Sequence, residues 1–144
     1  MKAGREGECP TVKSYHPLYL RFFKYYHAGR YWEAHEVLEE LWQTQRDNDF
    51  YHGLIQVAAI MHQLKRGKVR GARKLSASAI RYLTPFSPET EGVDVRRVLR
   101  WLNRCLEVLP ERPRIMDPRE VESLGLGTCE LPDMASSINR SPSR

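Results

Sequence analysis

From Phe50 to about Arg66 the chain reads as a helix that is apolar nearly all round, with Leu54, Ile55, Val57, Ala58, Ile60, Met61 and Leu64 spread over its faces. Such a helix cannot lie on a surface. It has to be wrapped by other elements, so it constrains the fold more than any other stretch. The flanking sequence supplies wrapping of one kind. Tyr19, Phe22, Phe23 and Tyr26 fall at i, i+3, i+4 and i+7, the spacing of a single buried helix face. Ala34, Val37, Leu38 and Leu41 repeat that spacing, as do Ala72, Leu75, Ala79, Tyr82 and Leu83 further on, and a last stripe runs from Val95 and Val98 to Leu109. No segment carries convincing strand alternation. The expected fold class is all-α, an antiparallel helical bundle of about five helices.

Punctuation sets the helix limits. Pro17 suits the first position of a helix starting near His16, where its missing N–H costs nothing, and Ala28-Gly29 suits the end. The second helix is expected over about Arg30 to Gln45, with Asp or Asn in Arg46–Asp49 capping the next. Gly67 closes the apolar helix, Val69 to Leu83 forms a fourth, and Thr84-Pro-Phe-Ser-Pro88 stops it. A fifth runs from Val93 to Val108. Gly29 is followed five residues later by Ala34 and Gly67 by Ala72, an echo at a spacing of 38 residues. That echo predicts two helical hairpins closed by the fifth helix.

All fourteen aromatic residues lie between Tyr15 and Trp101, whereas five of the nine prolines follow Trp101. The folded domain is therefore expected over 14–109, after a disordered lead-in at 1–13. A tail containing Pro and Ser is expected over 110–144, with a short capped helix at 118–124. The longest wholly apolar run is Val57 to Met61, far short of a membrane span, and Met1 to Pro10 has no apolar core of a secretory signal. Cys9, Cys105 and Cys129 are odd in number and far apart, so no disulfide framework is read and a reducing, cytoplasmic setting is expected.

The densest chemistry falls in Tyr31–Trp42, which holds two tryptophans, one histidine and four glutamates. Taking Ala34 as zero, Trp42 lies at about 80°, His35 at about 100°, Glu39 at about 140° and Trp32 at about 160° around the helix. His35 and Glu39 are thus expected in a sheltered sector between the tryptophans, with Glu33, Glu36 and Glu40 facing solvent. His35-Glu36-x-x-Glu39 invites comparison with the zincin motif, but the fourth position is Glu39 and not histidine, and Glu36 points away from the pair. A metal site centred on His35 and Glu39 would need further ligands from His52, Gln56 or His62. On the apolar helix His52, Gln56 and Gln63 share one strip, while His62 sits apart. A closed hydrogen-bond network joining His35 and Glu39 to that strip, fixing helix register, is the preferred reading.

The run Gly29-Arg-Tyr-Trp-Glu-Ala-His-Glu-Val-Leu-Glu-Glu-Leu-Trp42 resembles the prokaryotic family called domain of unknown function 309. The resemblance continues through Gly53–Ala59, His62, Arg66-Gly67 and Gly71-Ala72, covering roughly residues 19–83. It implies a small all-helical bundle in which His35, Glu36, Glu39, Trp42, Gln56 and His62 hold motif positions. It supplies no catalytic role for them.

Net charge is +5, and Lys65, Arg66, Lys68, Arg70, Arg73 and Lys74 occur within ten residues that contain no acid. Without aromatic interleaving, this run reads as a solvated helix start before it reads as a nucleic-acid site. There is no nucleophile elbow, phosphate-binding loop or dinucleotide fingerprint, and no cofactor is implied. The preferred functional reading is a non-catalytic helical module that binds a protein partner or itself. A metal- or small-ligand-binding protein centred on His35 and Glu39, extending to a hydrolase, is the alternative. Nucleic-acid binding through the basic run comes last, and no membrane contact is expected.

Overall fold

The computed structural model describes residues 14–112 and 115–134. Its helices are α1 (Pro17–His27), α2 (Tyr31–Trp42), α3 (Asp49–Lys65), α4 (Val69–Leu83), α5 (Val95–Val108) and α6 (Pro118–Glu122). The all-α class read from periodicity holds. Helices neighbouring in sequence pack together, α1 on α2, α2 on α3, α3 on α4 and α4 on α5. The apolar helix α3 is the spine, with Phe50, Leu54, Val57, Ala58 and Ile60 buried.

Local chemistry explains the ends. The Nδ1 of His16 accepts from the Leu18 N–H ahead of Pro17, and Asn48 caps α3 by accepting from the Tyr51 N–H. Asp94 caps α5 by accepting from the Arg97 N–H, and Asp117 and Glu120 form a capping box on α6. Helix α2 stops at Trp42, short of the expected Gln45. The Thr44 and Gln45 N–H groups turn back to the Leu41 and Trp42 carbonyls instead of continuing the helix. Gly67 sits at φ +73, and a Cβ there would lie 2.0 Å from the Met116 carbonyl oxygen. The turn between α3 and α4 is therefore also where the C-terminal chain docks, the Met116 N–H donating to the Gly67 carbonyl.

Two expectations need correcting. A two-residue hairpin, β1 (Glu89–Thr90) against β2 (Val93–Asp94), precedes α5, pairing Glu89 with Asp94 and Thr90 with Val93. Its turn residues Glu91 and Gly92 have φ 51 and 80, the left-handed pair that a tight two-residue connection requires. The second correction concerns the chain after Leu109, read as a tail. Val121, Leu126, Cys129, Leu131 and Met134 are buried against the bundle. Polar atoms of the aromatic core hold it there. The Tyr26 hydroxyl donates to the Cys129 carbonyl at 2.6 Å and Trp101 Nε1 to the Leu126 carbonyl at 2.8 Å. Core tyrosine and tryptophan need such acceptors, and an irregular backbone offers carbonyls that helices do not. The lead-in expected at 1–13 and the last part of the expected tail, 135–144, lie outside the described residues.

Candidate functional site

Helices α2 and α3 are joined face to face by two ring pairs. Trp32 and Trp42 are ten residues apart on α2, and His52 and His62 are ten apart on α3. Trp42 meets His52 at 4.5 Å between ring centroids, and Trp32 meets His62 at 5.1 Å. The early tryptophan pairs with the late histidine, as antiparallel helices require. Trp32 also stacks on His35, at 4.6 Å and 10°. His52 continues to Tyr82 of α4, at 4.4 Å.

The residues singled out from the sequence come together only in part. The His35 side chain is 18% exposed, and its Nδ1 is 3.8 Å from Glu39 Oε1, too far for a hydrogen bond. His35 Nδ1, Trp42 Nε1, Gln56 Oε1 and Gln63 Oε1 are buried and make no hydrogen bond. The expected closed network is therefore replaced by ring stacking. Nor is Glu39 sheltered. Its side chain is 45% exposed, slightly more than the 41% of Glu33, because the sector between the tryptophans opens on the rim of the α2–α3 contact. Glu36 is exposed, as expected. Burial depresses the pKa of His35 below its ordinary value, outweighing the pull of Glu39 and Glu36 in the other direction. Burial also depresses that of His62, assisted by Arg66.

His62 does not stand apart. With Trp32, Ala59, Gln63 and Arg66 it lines a cleft of about 430 Å³. A second cleft of about 420 Å³ lies across Gln63, lined by Lys68, Arg70, Gly71, Lys74 and Ile115. Gln63 is common to both. The basic run is thereby sorted. Arg73 is committed to structure, donating to the carbonyls of Leu106 and Leu109 and pairing with Glu111, and Lys65 lies over the Tyr31 ring. Arg66, Lys68, Arg70 and Lys74 pair with no acid among the described residues and line the two clefts. Trp32 and Ile115 were not among the site candidates read from the sequence, and Gln63 entered only as part of the polar strip on α3. The matched ten-residue spacings of tryptophan and histidine could have located Trp32.

Residues 19–75 match the family described as "Domain of unknown function (DUF309)". The resemblance read from the sequence holds over that span. A Bacillus subtilis (strain 168) protein described as "Uncharacterized protein YpuF" is 31% identical over 99 residues, covering 65% of this chain and 57% of its own length. A protein of Aquifex aeolicus (strain VF5), also described as uncharacterized, is 24% identical over 84 residues, covering 56% of this chain and 25% of its own. The chain thus spans little more than half of the first relative and a quarter of the second. No solved structure matches.

The DUF309 span contains both ring pairs, Gln63 and the cleft cations Arg66, Lys68, Arg70 and Lys74, while Tyr82 and Ile115 come from outside it. Among the described residues no three His, Cys, Asp or Glu side chains converge as a metal site would need. Cys105 and Cys129 are free and buried, and burial pushes the Cys105 thiol up to about 11 and Cys129 higher. Neither is a ready nucleophile at neutral pH. No helix of the described chain is long and apolar enough to cross a membrane.

Proposed function

We propose that the domain is a non-catalytic binding module that takes a small, anionic and partly apolar ligand in the paired clefts about Gln63. One observation carries this reading. Trp32 at 44% and Ile115 at 66% are the exposed large hydrophobic side chains of the described chain, and each lines one of the two adjoining clefts. Apolar groups gathered at one place mark a binding surface, and four cations beside them, without an acidic partner among the described residues, select negative charge. The volumes fall within the range of small-molecule sites. The same two side chains favour a second reading, in which they anchor an acidic protein segment, since large apolar groups near Arg are typical of interface centres. The free thiols Cys105 and Cys129 suit a reducing compartment such as the cytoplasm.

The dye anilinonaphthalene sulfonate, an aromatic anion, tests the ligand reading. Its emission is expected to rise on binding the native chain. Trp32→Ala and Arg66→Gln should each weaken binding about tenfold, with helical circular dichroism unchanged. Dye binding indifferent to both substitutions would sink the reading.

A further inference from the structure

We infer that the paired clefts accept a nucleotide, with its base on the Trp32 side and its phosphate on the Lys68–Lys74 side. The inference rests on the anion-binding reading above and names the ligand class within it. The two halves of the site are chemically unlike. Trp32 and His62, their rings tilted by 40°, make one cleft aromatic, and any base can stack on such a ring because every base has a π-face. Lys68, Arg70 and Lys74 make the other cationic, suited to phosphate oxygens through ammonium charge and a guanidinium fork. Helix α4 begins beside them without a side-chain cap and with no acid in its first turn, so its positive end adds to the same field.

Gln63 joins the halves. It lines both clefts, and its Oε1 is buried without a hydrogen-bond partner. A buried amide oxygen left unmatched is costly, and the edge of a base presents N–H groups that a side-chain amide pairs with. Gly71 lets that amide pack closely against α4, since a Cβ there would come within 3.2 Å of Gln63 Nε2. Inorganic phosphate would fill one half alone, and an uncharged aromatic the other. A planar ring bearing N–H groups, joined by a short linker to phosphate, answers all three features together.

Titration calorimetry of the full chain at low salt with AMP, adenosine and inorganic phosphate is the test. AMP is expected to bind at least about tenfold tighter than either fragment, since linking two subsites raises effective concentration. Paired substitution of Arg70→Gln and Lys74→Gln should weaken AMP about tenfold and leave adenosine unchanged. Trp32→Ala should weaken AMP and adenosine but not phosphate, with Trp32→Phe restoring part of the loss and circular dichroism confirming the fold. A short oligoadenylate bound more tightly than AMP supports nucleotide recognition and assigns the ligand to a strand. One bound no more tightly assigns it to the free nucleotide. Phosphate binding as strongly as AMP, or AMP binding blind to Trp32→Ala, overturns the inference. If the anilinonaphthalene dye binds at Trp32 and AMP does not displace it, the nucleotide assignment falls and the anion-binding reading stands. If neither binds, both fall.

Discussion

At one end of the α2–α3 contact Trp42 meets His52, His52 meets Tyr82, and Arg46 lies over the indole at 5.4 Å. At the other end Trp32 meets His62 and His35, yet Trp32 remains 44% exposed and borders a cleft. Both ends use a tryptophan from α2 and a histidine from α3. What differs is the residue that α4 brings alongside. Beside His52 it brings the ring of Tyr82, and beside Gln63 it brings Gly71. A third ring extends the first pair into packing, whereas the second pair borders a cleft that adjoins a row of cations. The same pair of side-chain types is packed against a third ring at one end and left partly in water at the other.

The sharpest way to break that comparison is to remove each indole in turn. Trp42→Ala empties a ring slot between His52, itself backed by Tyr82, and Arg46, and is expected to cost about 3 kcal/mol. Trp32→Ala removes a ring already nearly half in water and is expected to cost no more than about 1 kcal/mol. Urea unfolding of both variants measures the two values. Equal losses would mean that the open pair is as structural as the closed one, and the assignment of a binding role to Trp32 would go with it.

Much of this arrangement was legible in the sequence. Pro17, Gly29, Gly67 and Asn48 fix helix ends through backbone chemistry that acts within a few residues, and the near-continuous apolar surface of α3 demands a central place whatever surrounds it. The ring pairs were legible as well. The shared ten-residue spacing on α2 and α3, combined with antiparallel packing, specifies them, but angles about a single helix carry no cross-helix register. For the same reason the wheel put Glu39 between the tryptophans without saying that this sector lies at the rim. The basic run seemed to lack aromatics because its aromatic partner, Trp32, stands thirty-four residues before Arg66 and reaches it only through packing. The chain from Met116 to Met134 has no period at all. Its burial depends on carbonyls that meet Tyr26 and Trp101, and no local pattern encodes that.

A smaller effect separates the two ends by pH. His35, stacked under Trp32, has its pKa held below the ordinary 6.5 by burial, against the opposing pull of Glu39 and Glu36, with His62 close by and lowered too. The unfolded chain therefore takes up protons at a higher pH than the folded one. Stability is expected to be full above about pH 6.5 and to fall as pH drops through that value toward the lower folded pKa. His35→Gln should flatten the fall in the urea midpoint between pH 7.5 and 5.5 (a window bracketing the ordinary histidine pKa). Trp32→Ala should reduce it by letting water reach the imidazole. A slope indifferent to both would show that the open end does not shelter His35.

The gentlest test of the comparison uses light and leaves both ring pairs in place. Either indole touches an imidazole, so quenching by histidine is common to both and cannot tell them apart. External quenchers can. Acrylamide is neutral and reads exposure alone, whereas iodide also reads local charge, and Arg66 with the cations of the second cleft lies near Trp32. In single-tryptophan variants the iodide-to-acrylamide quenching ratio is expected to be about twofold higher for Trp32 than for Trp42 at low salt, and to converge as salt screens the field. Arg46 over Trp42 supplies one cation, but it covers the ring face that iodide would approach. Tyr82→Ala should then raise acrylamide quenching at Trp42 toward the Trp32 value, because it removes the ring packed against His52. If Trp42 stayed protected without Tyr82, the closure would have to come from Arg46 and the α2–α3 contact, and α4 would lose its part in deciding which pair is the site.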